Sequence, residues 1–184
     1  MIEHGVLSTA SGEYPESLID TLKKLTMLDG VSGDEKPVRD FIIELIKDRA
    51  DSWHVDNIGN LIAFRKGTGL GKKVMLAAHM DEVGLLITGI NDNGLLKFKA
   101  VGGIETRVLV GKRVRIGKDR VPGVIGYKPI HLQDDSERKS TVKKSGLTID
   151  IGAKDREQAE ASVSVGDTAA FDYDPVEFGD QKLM

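Results

Sequence analysis

Five consecutive apolar residues, Val74 to Ala78, run directly into an imidazole and two carboxylates at His79, Asp81 and Glu82. Preceded by the loop Lys66 to Lys73, such a run fits a central strand covered on both faces. Where a strand of that kind leaves an open α/β sheet, its end faces the crevice in which ligands bind. His79 and Asp81 are therefore the candidate site. A neutral imidazole is a common divalent-metal ligand, and a carboxylate on its other ring nitrogen fixes its tautomer and orientation. Asp81, two residues on, points to the same side as His79 if the chain stays extended. By themselves these residues equally fit a strand-end histidine satisfied by a nearby carboxylate.

The other elements are read from spacing and punctuation. Residues 1–13 are small and polar without periodicity and read as a loose tail. Leu18, Leu22 and Leu25 predict a helix ending before Gly30. A second helix carries the stripe Val38, Phe41, Ile42, Leu45 and Ile46. Asp34 is its preferred N-cap because Pro37 then falls in the first turn; a Ser32 and Glu35 capping box leaves Pro37 past that turn. Trp53 to Asp56 and Leu61 to Arg65 read as two strands joined by the turn Asn57 to Asn60.

After Gly84 the strands become short and closely spaced. Turn signals fall at Asn91 to Gly94, Gly102-Gly103, Gly111-Lys112, Gly117 to Asp119 and Pro122-Gly123, the texture of a small β-barrel or sandwich. Val114 and Ile116 alternate with Arg113 and Arg115, and Leu147, Ile149 and Ile151 with Thr148 and Asp150, so each strand has a buried and a wet face. Gln133 to Gly146 is charged and reads as a solvated loop. Asp155 to Ala161 reads as a short helix and Thr168 to Asp172 as the last barrel strand.

Composition excludes several functions. The 184 residues are 40% hydrophobic and 30% charged with a formal net charge of -3, which argues against a general nucleic-acid or anionic-membrane binder. Lys112, Arg113, Arg115, Lys118 and Arg120 read as a solvated strand face, because stacking aromatics are missing among them. No apolar run is long enough to span a membrane and no secretory signal is visible at the start. The chain has no cysteine, which excludes disulfides and thiolate metal sites and is compatible with a cytoplasmic location. A metal would be held by histidine and carboxylates. His4, His54 and His131 are read as having no chemical role, and Glu82 is left unassigned.

His79-Met80-Asp81-Glu82-Val83-Gly84 resembles the first metal-site motif of the dinuclear metallo-aminopeptidases of the glutamyl-aminopeptidase and tetrahedral-aminopeptidase type, also known as cellulase M. Gly102-Gly103 with Arg107 to Gly111, then Pro122 to Gly126, Ile149 to Ala153 and Val165 to Asp167 are similar, in order and spacing, to the barrel that family inserts after its metal-binding histidine. The resemblance implies an α/β fold in which a partial mixed-sheet catalytic domain (residues 14–83, resumed at 173–184) carries an inserted small β-barrel (residues 84–172) used in subunit assembly. It further implies two divalent metal ions, zinc or cobalt, peptide substrates and a homo-oligomer. His79 becomes a metal ligand and Asp81 the catalytic residue supporting it. The family's bridging carboxylate, its other ligands and its glutamate base correspond to positions beyond Met184. The expectation is thus the N-terminal portion of a metallo-aminopeptidase that is inactive alone, with a non-catalytic assembly module built on the barrel as the alternative.

Overall fold

Leucines at four- and three-residue spacing wind Leu18–Thr26 into helix α1. The computed structural model describes residues 18–128, 146–179 and 182–183. Its chain divides into two units, Met1–Leu28 with Asp174–Met184, and Asp29–Tyr173. In the first unit Lys23 of α1 forms an ion pair with Glu177. No residue of α1 is buried; Leu18 is 84% exposed. The sequence readings of the N-terminal tail, His4, His131 and nearly all of the Gln133 to Gly146 loop lie outside the described residues.

The second unit begins with an irregular loop, residues 29–34, followed by helix α2, Lys36–Ile46. Pro37 sits in the first turn, where its missing N–H is no loss. The residue before the helix is Glu35, however, and no side chain caps it. Asp34, the expected cap, instead accepts a hydrogen bond from Thr168 Oγ1 at 2.8 Å. A partner 134 residues away takes the carboxylate that local reasoning assigned to the helix.

Strands β1 (Ser52–Val55) and β2 (Leu61–Phe64) form an antiparallel hairpin. Its turn is built by Asp56, whose carboxylate accepts from Ile58 N at 3.1 Å, Asn60 N at 2.9 Å and Asn60 Nδ2 at 2.8 Å. An aspartate that replaces backbone acceptors in this way makes a tight reversal stable.

Six antiparallel strands follow: β3 (Gly84–Ile90), β4 (Leu96–Val101), β5 (Arg113–Ile116), β6 (Val121–Tyr127), β7 (Leu147–Asp150) and β8 (Thr168–Phe171). They close into a barrel in the order β3-β4-β7-β6-β5-β8, with β8 returning to β3. Closure removes the unpaired edges that would otherwise attract other strands. Alternation fills the interior: Leu85 and Ile87 from β3, Leu96 from β4, Val114 and Ile116 from β5, Ile125 from β6 and Ile149 from β7 are at most 1% exposed. Ile149 lies opposite both Leu96 and Ile125. Gly123 lets the wall approach this centre, since a Cβ there would stand 2.7 Å from Ile149 Cγ2. Helix α3, Arg156–Glu160, is capped by Asp155, whose carboxylate accepts from Gln158 N at 2.8 Å, and buries Ala159 against the same core.

One element departs from the sequence reading. Val74 to Ala78 forms no strand, and Val74, Met75 and Leu76 are 80%, 88% and 92% exposed. A strand exists only where a neighbour accepts its ladder hydrogen bonds, and among the described residues none lies beside this run. The α/β part is therefore helix α2, the β1-β2 hairpin and a single parallel bridge between Val31 and Glu82, beside the closed barrel.

Two outcomes follow from this packing. Ile149→Ala should destabilise the barrel by about 3 kcal/mol, because it removes aliphatic volume at a fully buried position with no freedom to collapse; a denaturant-midpoint shift worth less than about 1 kcal/mol would contradict the packing. The exposed apolar run should drive self-association at micromolar concentration, and Met75→Lys with Leu76→Lys should reduce it in light scattering. A monodisperse 20 kDa particle from the unsubstituted chain would contradict that expectation.

Candidate functional site

The segment 79–82 is held by the loop at the start of the second unit. Glu82 N donates to Gly30 O at 2.7 Å and Ser32 N donates to Glu82 O at 3.3 Å, which forms the parallel bridge. Gly30 permits this approach: a Cβ there would lie 2.8 Å from Val38 Cγ2 and 3.3 Å from Met80 O. The backbone is thereby fixed immediately after Asp81.

His79 and Asp81 meet directly. His79 Nδ1 lies 2.9 Å from Asp81 O and 3.1 Å from Asp81 Oδ1. Both oxygens are acceptors when the carboxylate is ionised, so a neutral ring must carry its proton on Nδ1 and leave the Nε2 lone pair free. Asp81 Oδ2 accepts from Ser32 Oγ at 2.5 Å. The Ser32 hydroxyl is the largest influence on this carboxyl and, with His79, holds it ionised below the ordinary aspartate range despite partial desolvation. His79 itself is 85% exposed in its side chain. An oriented imidazole with a free nitrogen suits one position of a divalent ion's coordination shell. Among the described residues no group of three or more His, Asp or Glu side chains gathers to complete such a shell.

Beside His79, Met80 and Asp81 lies an open cleft of about 370 Å³, lined also by Glu35, Ile42, Ile58, Asn60 and Leu61. It joins an apolar wall from α2 and the hairpin to two carboxylates. His54, on β1, is exposed and does not line it.

The barrel grips the loop 29–34 at both ends. Arg115 donates from Nε and Nη2 to Asp29 Oδ1 at 3.0 and 2.7 Å, and from Nη1 to Asp172 Oδ1 at 2.7 Å. Arg120 adds a 3.4 Å ion pair to Asp29 Oδ2, and Thr168 holds Asp34. Lys112, Arg113, Lys118 and Arg120 are exposed, as a solvated face requires, and Arg115 alone departs from that reading. The side chain of Arg115 is only 11% exposed; its partners lie 86 and 57 residues away, so no local pattern announces them. Ser32 was likewise legible only as a possible helix cap, since its partner is 49 residues distant.

The sequence profile of the M42 glutamyl aminopeptidase family matches residues 59–184, which include the His79 segment and the whole barrel. The chain belongs to this family. Relatives include a candidate aminopeptidase of Acetivibrio thermocellus, 44% identical over 165 residues, covering 90% of this chain and 48% of that protein. The lysyl aminopeptidase of Pyrococcus furiosus is 34% identical over 145 residues, covering 77% of this chain and 41% of its own. Among solved structures, a TET aminopeptidase from a marine-sediment Thaumarchaeota archaeon superposes with a TM-score of 0.82 at 33% identity over 88% of this chain and 46% of its own. The TET1 peptidase of Pyrococcus horikoshii, described as able to assemble into a tetrahedron or a large octahedral shell, gives 0.76 at 43% identity over 87% and 48%. This M42 chain thus spans about half the length of the relatives it matches.

Glu82 gives the site a pH signature. Burial is the main cause that raises its carboxyl above the ordinary glutamate range, with Asp29 adding to it and the Gly30 N–H and Arg115 opposing. Between the unfolded and the raised folded value the native state holds the extra proton, so stability falls as pH rises through that window and stays lower above it. Glu82→Gln removes the penalty. It should raise Tm at neutral pH and leave Tm unchanged below the ordinary glutamate range. Equal shifts at both pH values in thermal scans would contradict the assignment.

Proposed function

We propose that this M42 chain is the metal-ligating N-terminal portion of a metal-dependent aminopeptidase, a hydrolase that removes N-terminal residues from peptides. One observation carries the reading: the two Asp81 oxygens that face His79 Nδ1, at 2.9 and 3.1 Å, leave Nε2 as the free ligand atom. His79 holds one divalent ion, zinc or cobalt, of a two-metal site, and Asp81 orients it. Divalent ions at such a site supply Lewis acidity and lower the pKa of water in peptide hydrolysis. The residues of this chain contribute the imidazole orientation, the negative charge of Asp81 behind it and the apolar wall of the adjoining cleft, which suits a peptide side chain. The remaining ligands and the general base come from sequence corresponding to positions after residue 184, so the 184-residue chain has no activity alone.

In this reading residues 14–83 and 173–184 belong to the catalytic α/β domain and residues 84–172 form an inserted assembly barrel. The reading includes a homo-oligomer formed through that barrel, supported by the tetrahedral and octahedral assemblies described for the Pyrococcus horikoshii TET1 peptidase. It also includes a cytoplasmic location, which agrees with a cysteine-free chain. A second reading, a non-catalytic assembly module, has one observation in its favour: the closed six-stranded barrel is structurally complete by itself.

Hydrolysis of aminoacyl p-nitroanilides separates the two. The 184-residue chain should show none above background with zinc or cobalt added. A chimera extended with the corresponding C-terminal portion of an M42 relative should gain metal-dependent activity, and His79→Ala in that chimera should lower it by more than about a hundredfold. An active, metal-loaded chimera indifferent to His79→Ala would overturn the assignment of the ligand.

A further inference from the structure

We infer that Ser32 is a positioning residue for the candidate metal ligand, acting through Asp81 to set the tautomer of His79. The inference rests on the reading of His79 as a ligand and extends it one residue further back.

Three observations carry it. The Ser32 hydroxyl has no role in the helix that follows: α2 starts at Lys36, its preceding residue is Glu35, and no side chain caps it. Its oxygen instead lies 2.5 Å from Asp81 Oδ2, leaving Oδ1 as the carboxylate atom that faces His79 Nδ1 at 3.1 Å. Finally, Ser32 is fixed by contacts independent of Asp81. Asp29 is held by the Arg115 guanidinium at 2.7 and 3.0 Å, and Asp34 by Thr168 at 2.8 Å. Between them the backbone of Gly30 and Ser32 is bonded to that of Glu82.

The direction of influence follows from these anchors. A carboxylate on a part-exposed chain rotates freely about its terminal torsion, whereas the Ser32 hydroxyl stands on a loop that the barrel holds at both ends. The donor is the fixed post and the carboxylate is what it orients. With Oδ2 engaged, Oδ1 presents its lone pair to Nδ1, and the neutral imidazole keeps its proton there. Without the hydroxyl, Asp81 turns and Nδ1 keeps only the backbone carbonyl of Asp81, at 2.9 Å, as acceptor, so the weight of the tautomer that leaves Nε2 free falls.

The test reads the tautomer directly in the 184-residue chain. At about pH 9, where an imidazole is neutral, two-bond ¹H–¹⁵N correlations of the His79 ring report which nitrogen carries the proton. The unsubstituted chain should show the Nδ1–H form predominating. In Ser32→Ala the ratio of Nδ1–H to Nε2–H should fall roughly fivefold, the equilibrium weight of one ordinary hydrogen bond, and Ser32→Thr, which keeps the hydroxyl, should restore it. An unchanged ratio in Ser32→Ala, a Ser32→Thr variant as low as the alanine, or no Nδ1–H preference in the unsubstituted chain would each overturn the inference. Titration with Co²⁺ tests the underlying reading separately. In the chimera that carries the C-terminal portion of an M42 relative, selective paramagnetic loss of the His79 ring signal supports it as a ligand, and its absence in the metal-loaded chimera removes the metal reading whatever the tautomer result.

Discussion

The guanidinium of Arg115 is the interaction on which the arrangement of the second unit depends. It lies on the wall of the barrel, almost shielded from water, and its donors reach Asp29 at the first residue of the unit and Asp172 near its last. A charge so placed is costly to desolvate, and the cost is offset only when carboxylates of good geometry accept from it. The two ends of the unit are therefore brought to one point by electrostatic necessity. Removal of either aspartate would leave a poorly solvated cation, and removal of Asp29 would also cost the loop from Asp29 to Asp34 one of its two attachments to the barrel. The position of Ser32, and through it the orientation of Asp81, is inherited from this tie.

The strands of the barrel were legible in the sequence because their alternation and turns are local, although their closing pairs are not. Alternation of Val114 and Ile116 with arginines, and of Leu147 and Ile149 with polar residues, states which face is buried, and Asn91 to Gly94 states where β3 turns into β4. The short helix at Asp155 is announced by its own cap. Partnerships were not legible in the same way. Nothing near Ser32 indicates that its hydroxyl belongs to Asp81, and nothing near Asp34 indicates Thr168; an N-terminal capping role was the natural local reading of both. Arg115 shows the same limit from the other side, since strand alternation places it on the wet face and only the fold brings two aspartates over it.

The run from Val74 to Ala78 separates composition from structure. Its apolar residues express a demand for cover on both faces, and a strand reading follows from that demand. A demand is not a ladder, however, because backbone groups form a strand only when another segment supplies acceptors and donors in register. In the hairpin, Ser52–Val55 has Leu61–Phe64 opposite and becomes a strand although its side chains stay exposed. The more apolar run has no such neighbour among the described residues and remains irregular. Pairing rather than hydrophobicity decided between them.

Orientation and number of ligands are separate requirements of a metal site, and on the proposed reading of His79 this chain meets the first with residues of its own. The His79 ring is directed by a side chain two positions away and by a backbone carbonyl, and that side chain is directed by a hydroxyl on a loop clamped to the barrel. Each further ligand that joins an already oriented imidazole forms its bond without first having to order that imidazole, which lowers the entropy lost on binding. A floppy histidine would require every other ligand to be better placed. On the proposed reading of His79 as a ligand, fixing it from the barrel side allows the rest of the site to come from a different part of the fold, and the rigidity of the barrel then contributes to metal affinity although no barrel strand needs to reach the ion.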